Sequence, residues 1–297
     1  MKVRVLGSSA GGGLPQWNCG GANSVRARAG DPDVPMRSQP SLAISSGDGR
    51  WSIINASPDI RDQLARFPGL HPRPGTRDIP LDTVVLTNAD LDHTLGLLIL
   101  RESLPYRVLT TAWIRDALLA HNAMFQLLAP AFGTRKLDEP FALDREGVLE
   151  AKLFPVPGKV PTWLQELAGN SPEATLALRV TDKRSGKRLV FAPGIQKLDS
   201  GTLAELRQAD LRFVDGTFFT PDELRAMRPG AVDAVRMGHV PIGGPEGSLA
   251  VLRELPGRTY YIHMNNTNPV LDAGSPERKA VEAAGVAISA DGLEVEL

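Results

Sequence analysis

Short β-type runs alternate with helix-start signals along the chain, and this alternation constrains the fold more than any other feature. Strand-like segments cover residues 3–6, 42–45, 51–55, 83–86, 107–109, 149–154, 176–180, 188–191, 212–214 and 260–262. Helix N-termini are indicated by Ser57-Pro58-Asp59, Thr220-Pro221-Asp222-Glu223 and Ser275-Pro276-Glu277, and residues 111–128 carry a further helix pattern. The sequence therefore predicts an α/β protein.

The tail V-A-I-S-A-D-G-L-E-V-E-L predicts a hairpin. Two short β runs flank Asp291 and Gly292, and an Asp-Gly pair adopts the positive φ of a tight turn at little cost. We therefore expect these two runs to pair with each other.

Composition limits the classes of partner. The chain has 297 residues, of which 42% are hydrophobic, so it can bury a large core. Its net charge of -1 gives no sign of a nucleic-acid or anionic membrane surface, which leaves a small molecule or a peptide as the expected partner. No run approaches the roughly 18 apolar residues of a membrane span, and the start lacks a secretory signal. With Cys19 as the only cysteine, a reducing, cytoplasmic location is predicted.

The stretch T-N-A-D-L-D-H-T-L-G-L-L joins a compact β run to a helix-like run. Asp90, Asp92 and His93 crowd one turn at the carboxyl end of the predicted strand, where open α/β sheets bind ligands. Asp92 is also a suitable helix N-cap, with His93 a polar residue of the first turn. A cation would relieve the repulsion between the two carboxylates, so the stretch favours a metal site.

Two further histidines are placed like site residues. His263 ends the strand T-Y-Y-I-H before the polar loop M-N-N-T-N-P, and His239 lies in the glycine-punctuated loop M-G-H-V-P-I-G-G. His71 and His121 have the sequence surroundings of surface or structural residues.

These motifs together resemble the metallo-β-lactamase superfamily and, within it, the B-type family of pyrroloquinoline quinone (PQQ) biosynthesis proteins. The resemblance runs nearly end to end through V-L-G-S-S-A-G-G-G-L-P-Q-W-N-C, N-A-S-P-D-I-R, L-D-H-T-L-G-L-L, F-A-P-G, V-D-G-T-F, M-G-H, I-H-M-N-N-T-N-P and S-P-E-R. It implies one domain over residues 1–297, folded as a four-layer αββα sandwich with a metal at the loop edge of the two sheets.

The chain departs from the superfamily's two-metal pattern. The signature turn H-x-H-x-D-H has Asn88 and Asp90 in place of its two leading histidines. P-G-K, ending at Lys159, falls where the resemblance places a histidine, and F-A-P-G, ending at Gly194, falls where it places a bridging aspartate. What remains by resemblance is one metal held by Asp92, His93 and His263, with Asp90 as a further ligand.

Two imidazoles and one carboxylate with open positions are typical of non-haem Fe(II) enzymes, although the same donors hold zinc. The resemblance implies Fe(II)-dependent hydroxylation of the tyrosine ring in a Glu-Tyr dipeptide unit during PQQ biosynthesis. A carrier of PQQ or its precursor and a zinc hydrolase with a reduced site are the alternatives.

Two residues are predicted to assist the metal ligands. His239 is the predicted catalytic acid or base, because an imidazole gains and loses a proton near neutral pH. Asp215, in V-D-G-T-F, orients a ligand or His239, or is an ordinary turn aspartate.

Two N-terminal segments only partly match known binding motifs. Relatives continue N-C-x-C-x-x-C, a motif suited to a structural metal, whereas Gly21 and Ser24 stand in the later cysteine positions here. Cys19 is therefore predicted to be a buried apolar residue. G-S-S-A-G-G-G matches neither dinucleotide nor phosphate-loop patterns, so we expect a turn near the site.

Overall fold

The computed structural model describes residues 1–102 and 105–297, and the strands within these ranges form two seven-stranded sheets. The first sheet, in the order 14-1-2-3-4-5-6, contains β1 (Lys2–Gly7), β2 (Ser41–Ser45), β3 (Trp51–Ile54), β4 (Leu81–Val85), β5 (Arg107–Thr110), β6 (Phe132–Thr134) and β14 (Glu294–Glu296). The second sheet, in the order 13-12-11-10-9-8-7, contains β7 (Pro140–Ala142), β8 (Leu149–Pro155), β9 (Leu176–Asp182), β10 (Arg188–Ala192), β11 (Leu211–Asp215), β12 (Arg258–Ile262) and β13 (Ala287–Ile288).

Short helices connect the strands. The α-helices are α1 (Ala22–Arg28), α2 (Ile60–Ala65), α3 (Leu91–Thr94), α4 (Gly96–Ile99), α5 (Ala112–His121), α6 (Ser200–Arg207), α7 (Ala234–Met237), α8 (Ser248–Leu252) and α9 (Pro276–Ala283). The 3-10 helices are Pro68–Leu70, Ala123–Ala131, Thr162–Leu164, Glu223–Ala226 and Pro269–Leu271. No helix in the described part of the chain is long and apolar enough to cross a membrane.

The two faces of the second sheet pack against different layers, as β10 illustrates. Leu189 and Phe191 join a core cluster that also contains apolar side chains of the first sheet. Val190 and Ala192, on the opposite face, pack in a second cluster with residues of α6, α8 and α9. This period-2 alternation places one core between the sheets and another beneath the outer helices. The predicted four-layer αββα sandwich is confirmed.

The ten predicted strands all form, within one or two residues of their expected ends, but the predicted C-terminal hairpin is wrong. β13 pairs with β12 in the second sheet, whereas β14 pairs with β1 in the first. The turn itself does form, with Gly292 at φ +86. Asp291 accepts hydrogen bonds from Ser8 and Ser38, which directs the chain to the other sheet.

The helix predictions have mixed outcomes. Ser275 caps α9 as predicted, accepting a hydrogen bond from the Arg278 amide at 3.0 Å. The predicted Ser57 cap is wrong, because α2 begins only at Ile60 while Asp59 accepts from the Gln39 amide. The predicted helix at 111–128 is also wrong in extent, since an extended residue, Asn122, ends α5 and a 3-10 helix follows.

At the Thr220 segment, only a 3-10 helix forms, and it starts at Glu223 rather than Pro221. The Glu223 carboxylate accepts from the Phe219 amide at 2.7 Å and from the Thr267 hydroxyl at 2.5 Å. The predicted capping box is therefore replaced by a bond that ties this segment to the loop after β12.

Parallel strands bring the polar turns to a common edge of each sheet. β3, β4 and β5 run parallel in the first sheet, and β10, β11 and β12 run parallel in the second. Their carboxyl ends therefore deliver the segments after Ile54, Val85, Asp215 and Ile262 to the loop edge of the sandwich.

Candidate metal centre

The turn after β4 is held by Asn55, which follows β3. The Asn55 side chain accepts a hydrogen bond from the Thr87 amide and donates one to the Thr87 hydroxyl, both at 2.9 Å. Asn55 adopts a left-handed conformation with φ 60, which turns its amide toward Thr87. The exit of β4 is therefore fixed before the acidic residues begin.

Asp92 and His93 lie in the single turn of α3. Asp90 takes the N-cap position that the sequence also allows for Asp92, although its side chain makes no capping bond. Instead the Asp90 carboxylate accepts from the Asn88 side-chain amide at 2.9 Å, and its backbone carbonyl accepts from the His93 amide at 3.0 Å. Asp92 is therefore free of a capping role.

Gly96 allows the turn that carries Asp92 and His93 to lie close to the backbone of Ala56 and Ser57. A Cβ atom at Gly96 would lie 2.2 Å from the carbonyl oxygen of Ser57 and 2.7 Å from that of Ala56. The Gly96 amide donates to the Ala56 carbonyl at 2.9 Å, and the Ala56 amide donates to the His93 carbonyl at 2.7 Å. The D-H-T-L-G segment thus requires glycine because two backbones approach closely.

His263 reaches the same place from the second sheet. It follows β12 in a left-handed conformation, φ 63, and its Nε2 lies 3.3 Å from Oδ2 of Asp92. One potential ligand atom from each of Asp92, His93 and His263 lies within 4.8 Å of the others. The two sheets together thus supply a carboxylate and two imidazoles.

The His93 imidazole lacks polar partners within the described part of the chain. The side chain is 1% exposed, and neither ring nitrogen has a hydrogen-bond partner; Nε2 lies 3.8 Å from Oδ2 of Asp92. Burial lowers the pKa of His93 to about 4, so the ring is neutral at physiological pH. A neutral, buried imidazole with an unpaired nitrogen fits a metal ion, which would satisfy the atom that the protein leaves without a partner.

A second cluster joins His263 to Asp215 and His239. Oδ2 of Asp215 lies 2.7 Å from Nδ1 of His239, while Oδ1 accepts from the Thr217 hydroxyl at 2.6 Å. The Thr217 oxygen lies 2.8 Å from Nδ1 of His263. Because a carboxylate only accepts, the Thr217 proton points at Asp215 and the Thr217 oxygen accepts from His263.

This network assigns the protons on both rings. The Nδ1 proton of His263 is directed at Thr217, and the Nδ1 proton of His239 is directed at Asp215. In the neutral rings, both Nε2 atoms are therefore unprotonated. The Nε2 of His263 is then available to a metal, and the Nε2 of His239 to a proton. The two rings stack with centroids 5.4 Å apart, so both imidazoles lie in one site.

The acids divide into one proton-binding and two ionised groups. Burial, and then the charge of Asp92, raise the pKa of Asp90 to about 7. Burial works the same way on Asp92, but His93 and His263 outweigh it and hold the pKa of Asp92 below its ordinary value. Burial also opposes ionisation of Asp215, and the charge and hydrogen bond of His239 lower its pKa nonetheless.

His263 responds to the same acids. Burial alone would lower its pKa, but the hydrogen bond and charge of Asp92, with the charge of Asp215, raise it overall. A metal ion at Nε2 would take the place of the proton that Asp92 stabilises.

The structure brings Asp92, His93, His263, His239 and Asp215 into one site. The Asp90 carboxylate stays on Asn88 and is not one of the atoms that converge within 4.8 Å. His71 and His121 are exposed, in keeping with surface residues.

Sequence reasoning missed two contributors to the site. Thr217 follows Asp215 by two residues. This short spacing between a carboxylate and a hydroxyl could have indicated their hydrogen bond from the sequence. Asn55 follows a predicted strand, and nothing in the sequence indicates its left-handed conformation.

The glycine-rich N-terminal segment does lie beside the site. A Cβ atom at Gly11 would be 3.4 Å from Oδ2 of Asp92. The prediction that Cys19 is buried is wrong, since it is partly exposed and its sulfur accepts from the Gly21 amide at 3.3 Å. Ser24 is buried, and its hydroxyl has no hydrogen-bond partner among the described residues.

Comparison with known proteins agrees with this geometry. The Beta-lactamase superfamily domain matches residues 50–264. The chain is 44% identical over 304 residues to a Coenzyme PQQ synthesis protein B of Methylobacterium sp. (strain 4-46), covering 100% of both chains. It is likewise 44% identical over 303 residues, with 100% of both chains covered, to the Coenzyme PQQ synthesis protein B of Ruegeria pomeroyi.

Solved structures extend the comparison. The crystal structure of Zn²⁺-bound PqqB from Methylobacterium extorquens superposes with a TM-score of 0.94 at 40% identity, covering 100% of both chains. A diphosphatase of the PhnP family shares the fold. It superposes with a TM-score of 0.68 at 18% identity, covering 100% of this chain and 97% of the other. The chain therefore belongs to the family of coenzyme PQQ synthesis protein B, within the β-lactamase superfamily.

Proposed function

We propose that this protein, as a member of a family that acts in PQQ biosynthesis, is an Fe(II)-dependent oxygenase that hydroxylates the tyrosine ring of a Glu-Tyr unit. The observation that carries the proposal is the unpaired, neutral imidazole of His93 beside Asp92 and His263. Two imidazoles and one carboxylate that leave positions open are the donor set of non-haem Fe(II) oxygenases.

Asp92, His93 and His263 would hold the metal, and bound Fe(II) supplies activation of dioxygen. The remaining residues of the site orient and move protons. Thr217 fixes the ring of His263, and Asp215 fixes His239 so that its Nε2 accepts a proton from the substrate phenol or ring carbon.

The reaction needs an external reductant. One dioxygen molecule supplies one oxygen atom to the new C–O bond, and the second leaves as water after uptake of two electrons and two protons. A small-molecule reductant such as ascorbate serves as the electron donor in an assay.

The first test is anaerobic Fe(II) titration of metal-free protein by calorimetry, comparing wild type with His263→Ala and with the exposed control His71→Ala. Wild type and His71→Ala are expected to bind about one equivalent, because the proposed set of Asp92, His93 and His263 holds one ion. His263→Ala is expected to bind none. Binding that is indifferent to His263 would exclude the proposed ligand set.

The second test is oxygen uptake by the Fe(II)-loaded protein with Glu-Tyr and ascorbate, with the product detected as a mass increase of one oxygen atom. Turnover is expected only with Fe(II) and dioxygen together. Ligand binding that survives both His263→Ala and metal removal, without turnover, would favour the carrier instead.

A zinc hydrolase is the second candidate, because the solved relative from Methylobacterium extorquens is Zn²⁺-bound and the same donors suit zinc. In that case zinc-loaded protein would cleave ester, amide or phosphodiester probes without oxygen. The absence here of histidines at positions 88 and 90 argues against a two-zinc hydrolytic site.

A further inference from the structure

Lys159 lies in a loop that is fastened to the metal-centre turn. Its backbone carbonyl accepts from the Thr175 hydroxyl at 3.0 Å, and Thr175 forms a β-bridge with Asn88. The loop is also tied to the segment after β10, because the Gln196 amide donates to the Pro157 carbonyl at 2.7 Å. These contacts connect the backbone around Lys159 to the turn after β4 and to the segment after β10.

The Lys159 side chain runs along the turn that precedes His239. A Cβ atom at Gly238 would lie 3.2 Å from Cγ, 3.5 Å from Cδ and 3.6 Å from Cε of Lys159. A side chain at Gly238 would displace these methylenes, and the positive φ of 97 also favours glycine there. The stem of Lys159 therefore packs against the His239 turn.

The ammonium group has no carboxylate partner within 4.0 Å among residues 1–102 and 105–297. Lys152, a lysine of similar partial exposure, instead forms ion pairs with Glu205 at 2.7 Å and Asp138 at 3.1 Å. Lys159 thus carries a positive charge without an ion-pair partner in the described part of the chain, on a stem that packs beside the turn before His239.

Lys159 also lines a polar cleft of about 450 Å³, together with Gln165, Asn170 and Ser171; this cleft is next to the loop of Lys159, and the candidate metal ligands are not among its lining residues. A cleft of this size accommodates an amino acid or a dipeptide. The two ionised acids of the site, Asp92 and Asp215, would repel an anionic ligand, and a nearby ammonium group offsets that repulsion.

We propose that Lys159 Nζ binds a carboxylate of the ligand, so that the site selects amino-acid or peptide carboxylates over their neutral counterparts. This inference rests on the proposed function for the identity of the ligand, and it adds the group that recognises it. A lysine suits the role because its three ammonium donors are carried on a flexible stem.

The test is calorimetric binding of Glu-Tyr, its C-terminal amide and Gln-Tyr to zinc-loaded protein, in which no oxidation takes place. Wild type is expected to bind Glu-Tyr at least about tenfold more tightly than one of the neutralised analogues. Lys159→Met should abolish that preference and Lys159→Arg should keep most of it. Lys197→Met, an exposed control nearby, should behave like wild type.

Zinc affinity and thermal stability of each variant verify that folding is intact. A preference that persists in Lys159→Met, or a wild type that shows no preference, would overturn the assignment. Oxygen uptake by the iron-loaded protein separates this inference from the proposed reaction. Selective binding through Lys159 without hydroxylation rejects the reaction alone, whereas hydroxylation without a Lys159-dependent preference rejects the role of Lys159 alone.

Discussion

The Nδ1 atom of His239 lies 2.7 Å from Oδ2 of Asp215, and this carboxylate is fully buried. Asp215 also accepts from the Ile195 amide at 2.8 Å and from the Thr217 amide at 3.0 Å. These bonds hold the carboxylate in one orientation, so that the proton of His239 stays on Nδ1. The opposite ring nitrogen is thereby kept available for chemistry.

Asp215→Asn is expected to reduce turnover about 10–100-fold, because an asparagine amide can donate to Nδ1 and move the ring proton to Nε2. Metal affinity should change less, since Asp215 is hydrogen-bonded to His239 and Thr217 and is not part of the proposed ligand set of Asp92, His93 and His263. Steady-state oxygen uptake and Fe(II) calorimetry measure the two effects. Asp222→Asn, an exposed exchange, is the control, and equal loss of metal binding and turnover would argue against a role through His239.

Metal binding is expected to stabilise the fold. A metal present at 100 times its dissociation constant adds about 2.7 kcal/mol to the free energy of unfolding, so chelation should lower the melting temperature. His263→Ala should remove this metal-dependent difference, whereas His121→Ala should retain it. Differential scanning fluorimetry with and without chelator checks the expectation, and an unchanged difference in His263→Ala would contradict it.

Glu223 predicts a pH-dependent effect on stability. Burial raises the pKa of Glu223 to about 7, despite its hydrogen bonds from Thr267 and Phe219. A carboxyl whose pKa is raised by folding stabilises fully below its unfolded value near 4.5, and this contribution is lost as the pH rises through about 7. Glu223→Gln, which resembles the protonated acid, should therefore gain stability relative to wild type between pH 5 and pH 8.5.

The expected gain is about 2–5 °C in melting temperature at the alkaline end, measured in buffers of equal ionic strength. Glu246→Gln, an exposed control, should show no such trend. A Glu223→Gln difference that stays constant with pH would show that Glu223 titrates normally.

Gly96→Ala tests the close approach behind the metal-centre turn. The new methyl group would meet the Ser57 carbonyl at 2.2 Å, so the turn must shift or the protein loses about 2–4 kcal/mol of stability. Gly169→Ala is the matched control, because no described atom lies within 4 Å of the position that its Cβ would take. Chemical denaturation and Fe(II) titration together measure the effect, and wild-type values for Gly96→Ala would show that the backbones tolerate a side chain.

The sequence predicted the strands because their signal is local. β-branched and apolar runs bounded by turn residues identify β4, β9 and β10 without reference to the rest of the chain. The destination of β14 could not be predicted in this way, because it depends on Ser8 and Ser38, which lie more than 250 residues away and capture Asp291. The turn at Asp291 and Gly292 was predicted correctly, but tertiary contacts determine which strand β14 pairs with.

In the candidate site, too, some features follow from the local sequence and others depend on tertiary contacts. Asp92, His93 and His263 stand out as polar residues at strand ends, and their convergence follows from parallel strands sharing an edge. The separation of Asp90 from the converging atoms depends on the Asn88 side chain, a rotamer that sequence does not encode directly. That residues 1–297 form one domain stays a prediction, supported by the pairing of β1 with β14.

The candidate ligands Asp92 and His263 are 171 residues apart in the chain and belong to different sheets. During synthesis, Asp92 and His93 leave the ribosome long before β12 exists. An ion that meets the nascent chain therefore finds a carboxylate and one imidazole, an incomplete set that releases it readily. The proposed ligand set is therefore complete only once the second sheet has formed against the first.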